Sequence, residues 1–178
     1  MNRLLAPYFS SEFVYNFAGD PRNVKSKDEA VKIGNNCEWL AHELVREFTG
    51  HVLPSDLLSY EMATCPDLIN VSGSRVEPGD LVFFGDPSIG LSNEFSPRYD
   101  SSGNLTNWQE WPVNHVGVAT GRSKWHKDYL VAHASAAHGT NIIEPLSAIT
   151  RIPSYPKVYG VRRLRLLSAP EPSAALAA

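Results

Sequence analysis

Cysteine is scarce in this chain: two residues, Cys37 and Cys65, in 178. Two thiols make at most one disulfide, so this is no disulfide-stapled scaffold, and a core of this size needs none. No CxxC or HxxxH pair occurs. The six histidines (His42, His51, His115, His126, His133 and His138) fall at spacings without the regularity of a zinc site. Excess positive charge is also missing: 16 Lys and Arg stand against 19 Asp and Glu, a net charge of -3. That argues against a basic surface for nucleic acid or anionic membrane. No apolar run reaches the length of a bilayer span. At the N-terminus Leu4-Leu5-Ala6 is cut short by Pro7, too brief for a signal-peptide core, so the chain is expected to be cytoplasmic at synthesis, with export by another route left open. What is present, 43% hydrophobic and 20% charged residues, fits one globular domain with a substantial core.

The first half reads as helical and the second as strands. Asn35 and Asn36 are good N-cap residues, and CEWLAHELVREF follows with Trp39, Leu40, Leu44, Val45 and Phe48 at helical intervals. Glu38, Glu43 and Glu47 lie off that face, and Gly50 supplies a stop. Pro54 and the cap candidate Ser55 predict a short helix over 55–63. Further on, Glu77-Pro78-Gly79-Asp80 is a turn into the strand Leu81–Phe84. Strands are expected at His115–Ala119 and Tyr129–His133, joined by a hairpin through Gly121 to Asp128, and from Val158 to Leu166. A helix followed by a meander of strands predicts an α+β fold with an antiparallel sheet. Residues 86–113, with Trp108 and Trp111, form a long loop of the kind that often carries function; its tryptophans read better as anchors to the body than as a lid. The domain is expected to span 1–167, and the tail 168–178 to be disordered.

The chemistry centres on Cys37. A helix N-terminus offers unpaired backbone N–H groups and a dipole that favour negative charge, an environment that lowers a thiol pKa and can form part of an oxyanion hole. Taken alone, Cys37 reads better as a small buried apolar residue facing Ala41, Leu44 and Phe48. A nucleophilic thiol needs a base, and the base an orienting partner. His115 begins one strand and His133 closes the next, so cross-strand pairing can bring their rings together on one sheet face. Each histidine alone is an ordinary strand-end residue; the three together are hard to obtain by chance. His138 is the substitute should His133 be misplaced. Cys65, before Pro66, reads as structural, and His42 and His51 as surface residues.

The segments Asn36-Cys37-Glu38-Trp39-Leu40, Pro78-Gly79-Asp80-Leu81-Val82-Phe83-Phe84, Asn114-His115-Val116-Gly117-Val118 and Ala132-His133-Ala134-Ser135 follow one another in an order that resembles the NlpC-type cell-wall cysteine peptidases. Upstream, Tyr15-Asn16-Phe17-Ala18-Gly19 is similar to the Tyr-containing segment that often precedes that family's nucleophile. The resemblance implies a compact papain-like fold, a nucleophile at Cys37, a base at His115 and an orienting group at His133. Tyr15 and, directly beside the thiol, Glu38 are the candidates for contact with substrate or oxyanion. The implied reaction is hydrolysis of an amide in a peptidoglycan stem peptide through an acyl-enzyme, with no cofactor and with the peptide as the partner. The flanks differ from the family's usual Asp and small residue, being Asn36 and Glu38, and Glu38 would oppose a thiolate unless it faces solvent. Two other readings stay open: a thiol amidase or acyltransferase on a non-peptidoglycan substrate, and a catalytically inactive binding module of the same fold.

Overall fold

The computed structural model describes residues 3–54, 56–86, 88, 101, 112–122 and 128–165. Trp108, Trp111, His126, Ser55, most of the 86–113 loop and the 168–178 tail lie outside the described residues. Helices α1 (Lys27–Ile33), α2 (Cys37–Thr49) and α3 (Ser59–Thr64) come first, then strands β1 (Leu68–Asn70), β2 (Leu81–Gly85), β3 (Val113–Arg122), β4 (Tyr129–Ser135) and β5 (Thr140–Pro145). The short helix α4 (Leu146–Ile149), strand β6 (Lys157–Leu164) and single 3-10 turns at Ala6–Tyr8 and Gly73–Arg75 complete the described elements. The strands form one antiparallel sheet in the spatial order β1-β6-β2-β3-β4-β5. The fold is α+β. Among the described residues no helix is long and apolar enough to cross a membrane.

Helix α2 forms as its pattern requires. Asn36 sits in extended backbone at the N-cap, and its Oδ1 accepts from the N–H groups of Glu38 and Trp39, both at 3.1 Å. At the other end Gly50 takes the left-handed conformation, φ 72°, that a residue with a Cβ adopts only at a cost. The buried side of α2, including Cys37, Leu40 and Leu44, packs with Leu81, Phe83, Val116, Val118, Ala132 and Ala134 of the sheet. The alternate residues of β2, Val82 and Phe84, join Val131, Ile149 and Tyr155 in a second cluster. Both faces of β2 are thus covered, which is why its sequence is an unbroken apolar run.

The turn before β2 has Pro78 at its second position and Gly79 at its third with φ 97°, closed by Asp80 N–H donating to the Glu77 carbonyl at 3.1 Å. Asp80 is buried, and its carboxylate receives Arg163 Nε at 2.7 Å, Arg163 Nη2 at 2.9 Å and the Glu77 N–H at 2.8 Å. The motif Pro-Gly-Asp therefore ties the entry of β2 to β6.

The structure alters several sequence expectations. The short helix expected over 55–63 is α3 and begins at Ser59, because Glu61 accepts from the Leu58 N–H (2.7 Å) and Glu38 from the Ser59 N–H (3.2 Å), fixing the start there. The last strand is Lys157–Leu164. His42 is half-buried, its Nε2 3.0 Å from the Leu57 carbonyl oxygen, while His51 is exposed as expected. Helix α1 and strands β1 and β5 have no counterpart in the sequence reading. The β3–β4 hairpin is present, with Gly121 opposite Leu130 and Arg122 opposite Tyr129.

The N-terminal segment is stitched to the residues before α2 and to the start of β5. Tyr15 pairs with Asn35 in a parallel bridge, and Val14 with Thr140 of β5. Tyr15 N–H donates to the Gly139 carbonyl at 2.8 Å, Thr140 Oγ1 to the Phe13 carbonyl at 2.7 Å, and Asn141 Nδ2 to the Tyr8 carbonyl at 2.9 Å.

Candidate active site

Cys37 is the first residue of α2 and only 6% exposed. The backbone amides of Val116 in β3 and of Cys37 and Glu38 themselves are near enough to the sulfur to favour its ionised form. The thiol therefore lies one residue from His115 along β3. His115 and His133, each 1% exposed, are joined directly, Nε2 of His115 to Nδ1 of His133 at 2.8 Å. Their rings meet edge-on with centroids 5.0 Å apart.

The register explains this meeting. Val118 is paired with Ala132, so the two histidines are diagonal neighbours, His115 lying two residues along β3 from Gly117. A Cβ at Gly117 would come within 2.5 Å of Val131 Cγ1, 3.2 Å of the Ala132 oxygen and 3.4 Å of His133 Cβ. The glycine of the His-Val-Gly-Val motif is thus what lets β4 and its histidine lie close.

Two residues that sequence reasoning missed complete the surroundings. Tyr155, just before β6, stacks on the His115 ring at 4.2 Å between centroids and 16° between planes. Glu144 of β5 brings Oε1 to 2.8 Å from Nε2 of His133. Neither sits in a recognisable motif, and β5 itself carries no strong strand signal. Tyr15 is in electrostatic contact with Cys37, and burial together with that thiol raises its pKa. Burial and the neighbouring Cys37 and Glu38 push the Tyr155 phenol up to about 12. His138 lies in the turn after β4 with Nδ1 2.9 Å from Ser135 Oγ, and is not needed in place of His133. Cys65 is buried, and neither cysteine is in a disulfide.

The electrostatics correct one expectation. Instead of lowering the Cys37 pKa, the site raises it well above the ordinary thiol value, first through burial and then through Glu38. The N–H groups near the sulfur act the other way but are outweighed. Glu38 does not face open solvent: its Oε2 accepts from Asn36 Nδ2 and its Oε1 from the Ser59 N–H. As an acceptor-only group it brings no donor to an oxyanion. Its own pKa is raised, chiefly by burial. His115 is held well below the usual histidine value by burial and by His133, and His133 is lowered by burial against the pull of Glu144. Thiol and imidazole therefore both rest neutral.

No protein-family model matches the chain, and a search of the curated proteins returns no match.

Proposed function

We propose that the protein is a cysteine hydrolase of the papain-like, NlpC-type kind, cleaving an amide bond in peptidoglycan stem peptides through an acyl-enzyme on Cys37. The observation that carries the chemistry is the 2.8 Å bond between His115 and His133, with Val116, the next residue of β3, reaching the thiol at a capped helix start. The four ordered motifs carry the substrate class. Because thiol and imidazole rest neutral, attack is base-assisted: the Sγ proton passes to His115 as the carbon–sulfur bond forms. The backbone N–H groups around the sulfur, with the Tyr15 hydroxyl, are the donors for the oxyanion. The carbon–nitrogen bond then breaks and the proton moves from His115 to the leaving amine. Water, deprotonated by the same histidine, adds to the thioester, releasing the carboxylate and restoring the thiol.

Digestion of purified muropeptides followed by mass spectrometry tests the reading. Scission at one amide, abolished in Cys37→Ala, is expected. Intact muropeptides alongside a reactive Cys37 would remove peptidoglycan as the substrate. A Cys37 that resists alkylation even at high pH would favour the inactive binding module, a reading to which the burial of the thiol lends some weight.

A further inference from the structure

Glu144 belongs to β5, the terminal strand of the sheet, two residues along from Ile142, the direct partner of His133. It reaches His133 diagonally, and its side chain is 17% exposed. An ionised carboxylate can only accept a hydrogen bond, so the 2.8 Å contact requires the proton on His133 Nε2. In a neutral imidazole the other nitrogen is then an acceptor. His133 Nδ1 therefore has no proton to give, and the 2.8 Å bond to His115 requires the proton on His115 Nε2. That leaves Nδ1 of His115 without a proton.

We propose that Glu144 is a positioning residue: by accepting from His133 Nε2, it dictates the tautomers of both imidazoles and leaves His115 Nδ1 as the lone pair that takes the Cys37 proton. The inference rests on the reading of Cys37 and His115 as nucleophile and base. No proton needs to travel along the chain. When His115 is protonated its Nε2–H stays bonded to His133, and the Glu144 charge compensates the imidazolium through a neutral ring. Protonation of His133 would make both its nitrogens donors, force His115 Nε2 to accept, and place a proton on the nitrogen meant to be the base. The charged and titratable groups around the relay are Glu144 from β5, His138 from the turn after β4, Tyr155 from the segment before β6, and Cys37, Glu38 and Tyr15 on the thiol side.

Long-range proton–nitrogen NMR of the histidine rings at pH 7.5 tests this on the full chain, with the rate of Cys37 alkylation as a second readout. In the wild type both His115 and His133 are expected as Nε2–H tautomers; His133 found as the Nδ1–H tautomer overturns the proposal without any variant. Glu144→Gln, which retains an acceptor oxygen, should keep both tautomers. Glu144→Lys offers only donors, so it should invert them and slow alkylation by about tenfold or more. Unchanged tautomers and an unchanged alkylation profile in a folded Glu144→Lys variant would sink the idea. The outcomes separate from those of the functional reading. Correct tautomers with intact muropeptides remove the substrate and keep the relay, whereas hydrolysis with the wrong tautomers removes the relay and keeps the substrate.

Discussion

Glu38 raises the proton affinity of the residue beside it, Cys37: the carboxylate is held by Asn36 and Ser59 in the same buried corner as the sulfur. The helix N-terminus, which by itself favours a thiolate, loses to desolvation and to this like charge. The alkylation rate of Cys37 in the free protein should therefore still be climbing past pH 9. Glu38→Gln, which keeps an acceptor for Ser59 but removes the charge, should shift the profile to lower pH and speed alkylation severalfold at pH 8. A wild-type rate already level below pH 8 would show a preformed thiolate and contradict this account.

His115, His133 and His42 are bases whose folded pKa values lie below the unfolded value near 6.5. Below that pH the unfolded chain takes up protons that the folded chain refuses, so stability falls as pH falls from about 6.5. Each such histidine contributes up to about 1.4 kcal/mol per pH unit in that window. Glu38, raised from 4.5, has the opposite sign: its contribution is present at low pH and is lost as pH rises through its folded pKa. Urea unfolding at pH 7 and pH 5.5 should show the loss, and His115→Gln should reduce it. An identical drop in that variant would remove His115 from the explanation.

The buried Asp80 carboxylate binds Arg163 through two nitrogens and also caps its own turn. Asp80→Ala should cost about 2–4 kcal/mol in urea unfolding, the lower figure reflecting solvent screening of the partly exposed Arg163. Asp80→Ala combined with Arg163→Met should cost less than the sum of the two single variants, since either one alone already breaks the pair, although Arg163 also bonds Glu77 and the Arg75 carbonyl. Additive losses in the double variant would mean that the two side chains are not coupled.

Gly117→Ala should cost about 1–3 kcal/mol through overpacking against Val131 and the Ala132 carbonyl. Because the added methyl also meets His133 Cβ, the variant should slow Cys37 alkylation even where it remains folded. Full alkylation rate with reduced stability would confine the role of this glycine to packing.

The positions of Cys37 and both histidines could be read from the sequence because each lies on an element with a strong local signal. Cys37 follows a capping asparagine and begins a clear amphipathic period, while His115 and His133 bound two apolar strands. Glu144 could not be found that way. The stretch Thr140–Pro145 is polar in part and half-buried along most of its length, so it lacks the alternation that marks a strand and becomes one only by pairing with β4. Helix α1 did carry a signal, Ser26-Lys27-Asp28-Glu29, in which the Ser26 hydroxyl accepts from the Glu29 N–H at 3.2 Å. The sign of the Cys37 shift was out of reach because it depends first on how deeply the thiol is buried and then on where Glu38 turns, both fixed by tertiary packing.

The bonds that hold residues 8–15 against β5 join parts of the chain more than 120 positions apart, Thr140 to Phe13 and Asn141 to Tyr8 among them. During synthesis the segment bearing Tyr15 emerges well before β5 and can dock only after β5 has followed. Such distant closures come late in folding. Cys37, His115 and the Tyr15 phenol thus reach their final arrangement only after β5 has been made, so a chain truncated before β5 would hold Cys37 without the surroundings the fold gives it.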